Sequence, residues 1–457
     1  MFAAPCRPRI RLSWRCTGVE SALPATWHRV GTSASRRPVE IWLLVLLAIP
    51  SAAVDWRIGQ IWGWPAWEIL GWLGATAAAI LLAVLRPRAR ELAAGTVAAS
   101  LYGMPIIDAI ARWHLLPATR ALIGDGALQI QIARRVLLSG LDPYGFNYVG
   151  TGLEGAPWAQ PFPNPALHHL DYWPGTIVLP APVQAGWQWL LGWWDERILL
   201  LGAAVAAWVL LRKLIPGTAG RMAALTLFLV PGHTLLAVLG DNDLPMICLL
   251  FAAILLVGRK QFIPGALVLG LAIATKQTAL VAVPPIVAWA VACGADRRTM
   301  VKSAGVSLAA VLALFLPFIL WDPAAFFRDT IAYNLASGQD AYPIQGLGLS
   351  TLLLNAGVIR GARDPFPFFL LQAVVTIPLW ILGWRWIVKR RQSADVILWI
   401  GLALFGFLFV NRFFQPTYAV LGTELILIGL LGRTSAARTA TVFDRKPAAD
   451  VDYPFAS

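Results

Sequence analysis

The sequence predicts an all-α fold: a polytopic transmembrane helical bundle of about 11–13 spans, with extracytoplasmic loops that hold interfacial helices. Three observations predict it. Hydrophobic residues make up 58% of the 457 and charged residues only 13%, whereas a soluble domain is about one quarter charged. Apolar runs of near-spanning length recur from residue 40 to 432, with no polar region long enough for a separate soluble domain. Basic residues gather at the ends of these runs and in the two tails. A formal net charge of +13 therefore reads as the positive-inside pattern, and no nucleic-acid partner is expected. Cys6, Cys16, Cys248 and Cys293 form no metal spacing or disulfide framework.

Residues 1–38 are Arg-rich and lack a hydrophobic signal core, which predicts a disordered cytoplasmic tail. One integral domain follows over 39–432, with outer loops near 114–197 and 321–366. Its first apolar runs are 40–55, 66–85 and 91–113, the first of them short for a span. Arg86, Arg88 and Arg90 mark a cytoplasmic turn, so the third run exits outward. The stretch 173–194 is apolar enough to cross but holds Pro174, Pro180, Pro182 and five tryptophans. Proline breaks helical hydrogen bonding and Trp prefers the headgroup layer. If this stretch crossed, Arg212, Lys213 and Arg221 would fall outside, so it is read as interfacial or re-entrant.

Spans are then expected at 198–214, 221–240 and 244–258. The run 262–293, between two basic turns, reads as a hairpin of two short arms turning at Thr275-Lys276-Gln277-Thr278. Further spans are expected at 301–320, 367–386, 395–411 and 417–432, before a polar cytoplasmic tail at 433–457.

Candidate chemistry collects at the outer ends. Asp125 lies between two glycines, which allow close approach of a ligand. It opens an amphipathic helix, about 127–139, expected to lie along the membrane surface. There the helix dipole favours a carboxylate, which suits either a general base or a plain cap. Asp142 in Leu-Asp-Pro-Tyr reads as a turn residue. Asp171 lies beside His168 and His169; adjacent histidines do not share a helix face, so they make a poor metal pair. Asp241-Asn242-Asp243 suits capping, sugar hydroxyls or a divalent cation. Lys276 is the sharpest signal. A cation in an apolar run costs about 2.5–3.5 kcal/mol on insertion scales and usually faces a cavity or a partner, with Gln277 and Thr278 beside it. Arg328, Asp329, Asn334, Gln339, Asp340 and Gln345 read as solvated loop residues open to substrate contact. Arg412, outside among aromatics, suggests an anionic partner.

Together these elements resemble the glycosyltransferase-C superfamily of membrane enzymes. The carriers are an outward loop with an Asp, Gly140-Leu-Asp-Pro-Tyr144, Gly240-Asp-Asn-Asp-Leu-Pro245, and Gly270-Leu-Ala-Ile-Ala-Thr-Lys276. They are similar to elements of bacterial polyprenol-phosphate-mannose-dependent mannosyltransferases. The resemblance implies a polyprenyl-phosphate-sugar donor, a lipid-linked or glycan acceptor, and an extracytoplasmic site on a multi-pass inner-membrane protein. It implies Asp125 as catalytic base, with Asp142 or Asp171 as alternatives because the flanking glycines depart from the usual pattern. Lys276 and Arg412 would hold the phosphate, and Asp142, Tyr144, Asp171, Asp241, Asp243 and Gln277 would contact substrate. No metal ligand is assigned, although a divalent ion would suit the acidic outer end. The competing reading is a lipid or polysaccharide transporter, which would need polar residues throughout its spans.

Overall fold

The computed structural model describes residues 37–115, 123–158, 163–335 and 342–443. The basic tail up to residue 36, Gln339, Asp340 and residues 444–457 lie outside the described residues.

The order is helical almost throughout. Helix α1 (Arg37–Trp62) and α2 (Ala66–Leu85) come first. The 26 residues of α1 correct the short run expected there. Hydropathy falls at Asp55, yet that side chain is buried in the protein, so the helix continues. Next, α3 (Arg90–Ala98) passes through one π turn into α4 (Met104–Leu115). Helix α5 (Asp125–Leu138) opens the polar segment that follows. The Trp/Pro stretch forms two short helices, α6 (Pro174–Val178) and α7 (Ala181–Leu191), instead of one span. Trp189 on α7 is 88% exposed, in keeping with a membrane-surface position.

The central group follows. It comprises α8 (Glu196–Leu214), α9 (Gly217–Leu229), α10 (His233–Leu239), α11 (Leu244–Gly258), α12 (Phe262–Thr275) and α13 (Val283–Ala292). The single span expected at 221–240 is corrected: α9 and α10 meet at a bend of 57°. The break falls at Pro231-Gly232, where proline lacks a donor and glycine takes a φ of 91°. The last group is α14 (Arg297–Trp321), α15 (Pro323–Phe327), α16 (Leu349–Asn355), α17 (Phe368–Arg390), α18 (Ser393–Phe409) and α19 (Pro416–Phe443). Helix α19 continues past residue 432, where a polar tail was expected to begin. Two short strands, β1 (Gln345–Gly346) and β2 (Phe413–Phe414), pair in parallel.

The protein is thus an all-α polytopic membrane protein. Among the described residues four helical stretches are long and apolar enough to cross a bilayer: α2, the run through α3 and α4, α14 and α17. The bent α9–α10 pair makes five, while α11, α12, α18 and Gln277–Ala292 are shorter apolar helices. Among the described residues, several of the expected 11–13 spans are therefore short or bent helices. Small residues let backbones approach: a side chain at Gly429 would meet the Leu398 backbone at 2.6 Å across α18 and α19. Helix α14 packs on α12 and leaves Leu316 and Leu320 exposed for lipid.

Helix α5 corrects the sequence reading most. It is not a surface helix: of its polar arc of Gln131, Arg134 and Arg135, only Arg135 is exposed, and Gln131 and Arg134 are buried. Arg134 makes a two-pronged pair with Glu196, at 2.5 and 2.6 Å, which satisfies a charge that would otherwise be buried alone. This ties α5 to the start of α8.

Candidate active site

The corner at Gly124-Asp125-Gly126 is set by close approach. The Gly124 N–H donates to Leu239 O at 2.6 Å. A Cβ on Gly124 would meet that oxygen at 2.7 Å, and one on Gly126 would overlap the Tyr172 hydroxyl. The flanking glycines thus dock this corner onto the end of α10 and the segment carrying Tyr172. Gly124 caps α5, so Asp125 is the first helical residue and not the cap. Its carboxylate accepts from Gly126 N–H at 2.8 Å and from Asn164 Nδ2 at 2.9 Å. The helix N-terminus favours its negative charge.

Lys276 stands where the helix stops. α12 ends at Thr275, and Lys276 is extended, with φ −151° and ψ 132°. Helix α6 braces the break. Thr176 Oγ1 donates to Thr275 O at 2.5 Å, and Gly175 lies against the Ala274 carbonyl with no room for a Cβ. The ammonium bridges Asp243 Oδ1 at 2.6 Å and Asn242 Oδ1 at 2.7 Å, at the start of α11. Trp289 on α13 donates to Ile254 O near the other end of α11. The chain therefore runs along α11 and back, the hairpin expected for 262–293.

These corners share one cavity of about 410 Å3. Asp125, Asp171, Asp241, Asp243, Lys276 and Gln277 all line it, together with Trp158, Tyr172, Asn242, Tyr333, Tyr342 and Tyr418. Six of the nine expected site residues meet there. Among the described lining residues, Lys276 is the one Lys or Arg. Burial pushes the Asp171 carboxyl up to about 6; Lys276 opposes this and Asp125 adds to it. Burial, then the neighbouring Asp243, pushes Asp241 up to about 8.

Asp142, Tyr144 and Arg412 do not line the cavity. Asp142 accepts from Tyr144 N–H at 3.0 Å, a local turn. Tyr144 is buried behind the wall and donates to Tyr172 O at 2.8 Å. Arg412 corrects the anion expectation. Its guanidinium donates to the carbonyls of Tyr342, Asp364 (2.8 Å) and Ala362 (3.0 Å), and so pins the segment between α15 and α17 onto β2. Among the described residues, no group of three or more His, Cys, Asp or Glu side chains is arranged to hold a metal ion.

Sequence reasoning gave His169 no role beyond an unsuitable metal pair. It lines the cavity, and its Nδ1 lies 2.9 Å from Asp329 Oδ1. The two are 160 positions apart, a distance no local pattern bridges. The ring stacks on Tyr333 at 4.6 Å.

The sequence model of glycosyltransferase family 87 matches residues 172–410. That span takes in Asp241, Asp243, Lys276 and Gln277, and begins after Asp125 and Asp171. No curated protein and no solved structure is matched.

Proposed function

The chain belongs to glycosyltransferase family 87, and on that premise we propose that it moves a hexose, mannose by preference, from a polyprenyl-phosphate sugar. The acceptor is a lipid-linked or cell-envelope glycan, and the site faces the extracytoplasmic side of the inner (plasma) membrane. The observation that carries this reading is the convergence of Asp125, Asp171 and Lys276, from separate segments, on one polar and aromatic cavity. A volume of about 410 Å3 lies in the range of small-molecule sites, roughly 300–1,000 Å3. The membership also sets aside the transporter reading.

In the proposed reaction the donor phosphate sits against the Lys276 ammonium, with its prenyl tail among the apolar helices. Asp125 takes the proton from an acceptor hydroxyl. The freed oxygen forms a bond to the anomeric carbon as the carbon–oxygen bond to phosphate breaks. The phosphate leaves with the electron pair, and Lys276 offsets its charge. One displacement inverts the anomeric centre. A phosphate leaving group needs no strong acid, so a single base suffices, unlike the paired carboxylates of hydrolases. Arg412, held by three carbonyls, takes no part.

The test supplies proteoliposomes with radiolabelled polyprenyl-phosphate sugars and, separately, with nucleotide sugars. Label transferred from a lipid donor alone is expected. Transfer from a nucleotide sugar without a lipid donor would contradict the donor assignment.

A further inference from the structure

The His169–Asp329 pair has no part in the reaction above, yet it is built into the cavity wall. His169 is only 9% exposed and Asp329 is fully buried. The Asp329 carboxylate also faces Leu170 N–H at 3.3 Å and Arg328 Nε at 3.0 Å. An ionised carboxylate only accepts hydrogen bonds, so the histidine nitrogen facing it is the one that carries hydrogen. In the neutral ring Nε2 is then a bare acceptor. It is buried and has no hydrogen-bond partner among the described residues. Asp329 does not line the cavity whereas His169 does, so the ring turns its Nδ1 edge away and leaves the other edge for a ligand. A buried acceptor without a donor is costly, and a ligand hydroxyl removes that cost.

The neighbours say which ligand. Gln129 Nε2 donates to the carbonyls of Ala166 and His169, both at 2.7 Å. Asn164, on the same segment, donates to Asp125. His169 is therefore tied to the wall that carries the base, whereas Lys276 is tied to the Asn242–Asp243 corner. A phosphate ester oxygen is itself an acceptor and gains nothing from a bare imidazole nitrogen.

We infer that His169 Nε2 takes a hydrogen bond from a hydroxyl of the acceptor sugar, and that Asp329 is the positioning residue that fixes its tautomer. This rests on the lipid-donor reading above.

The experiment measures two quantities on the purified full chain in nanodiscs. One is binding of polyprenyl phosphate; the other is transfer from polyprenyl-phosphate mannose to a titrated total lipid extract. His169→Asn keeps a donor for Asp329 but removes the cavity acceptor. It should raise the extract needed for half-maximal transfer at least tenfold, with polyprenyl phosphate binding within twofold of wild type. His169→Gln, whose amide reaches the Nε2 position, should restore part of the loss. Asp329→Asn should lower transfer in the wild-type background and add little on top of His169→Asn. Unchanged acceptor dependence in His169→Asn, or an equal loss of polyprenyl phosphate binding, would overturn the inference. A wild type that transfers from no polyprenyl-phosphate sugar overturns the donor reading, and the role of His169 with it.

Discussion

At the scale of single residues, the cavity balances one ammonium against several carboxylates. Asp171 is the member whose charge changes most between pH 5 and pH 7, since burial lifts it to about 6, whereas Asp241, lifted to about 8, is largely neutral over that range. Its ordinary value is about 3.9, so its folded pKa is raised. The neutral form is favoured below the folded value, and charge builds up as pH rises through about 6. Each added negative charge weakens binding of an anionic donor. A polyprenyl-phosphate sugar is a phosphodiester and keeps one charge over this range. Donor KM is therefore expected to fall several-fold between pH 7 and pH 5 in wild type. In Asp171→Asn it should stay nearly flat, as steady-state transfer at each pH would read out. Lys276 was legible in the sequence because a cation in an apolar run demands a partner. Arg412 carried the same kind of signal, but its partners are backbone carbonyls, which have no signature in sequence.

At the scale of elements, helix breaks place the chemistry. Asp125 begins a helix, Lys276 ends one, and Asp241 lies between α10 and α11. The hairpin at 262–293 could be read from charge alone, because only an even number of crossings kept both flanking turns basic and inside. Helix α5 departs from its pattern for a specific reason: Gln131, Arg134 and Arg135 look solvent-facing by periodicity, yet Glu196 lies 62 positions away from Arg134 and neutralises it. Breaking one partner of a buried pair typically costs about 3–5 kcal/mol. Arg134→Met is expected to lower stability by that order, seen as a clear fall in the thermal midpoint in detergent. Arg135→Met, on the exposed side of the same helix, should change it little.

At the scale of the whole molecule, one apolar bundle supports a polar cap. Composition and positive-inside charge were enough for the all-α polytopic class. The number of full-length crossings was not legible, because bends such as that between α9 and α10 split runs that hydropathy scores as one. What composition could not supply is the convergence itself: residues near 125, 171, 241 and 276 meet only through long-range packing of glycine corners.

The central claim is that Asp125 is the base of a lipid-linked sugar transfer at this cavity. The most direct test is transfer of radiolabelled mannose from polyprenyl-phosphate mannose in membranes carrying wild type or Asp125→Asn, at matched amounts of inserted protein. The account predicts transfer by wild type and a loss of at least ~10²-fold in the variant, the scale of general-base catalysis, with polyprenyl phosphate binding retained through Lys276. Transfer by Asp125→Asn at near the wild-type rate would contradict it and move the base to Asp171.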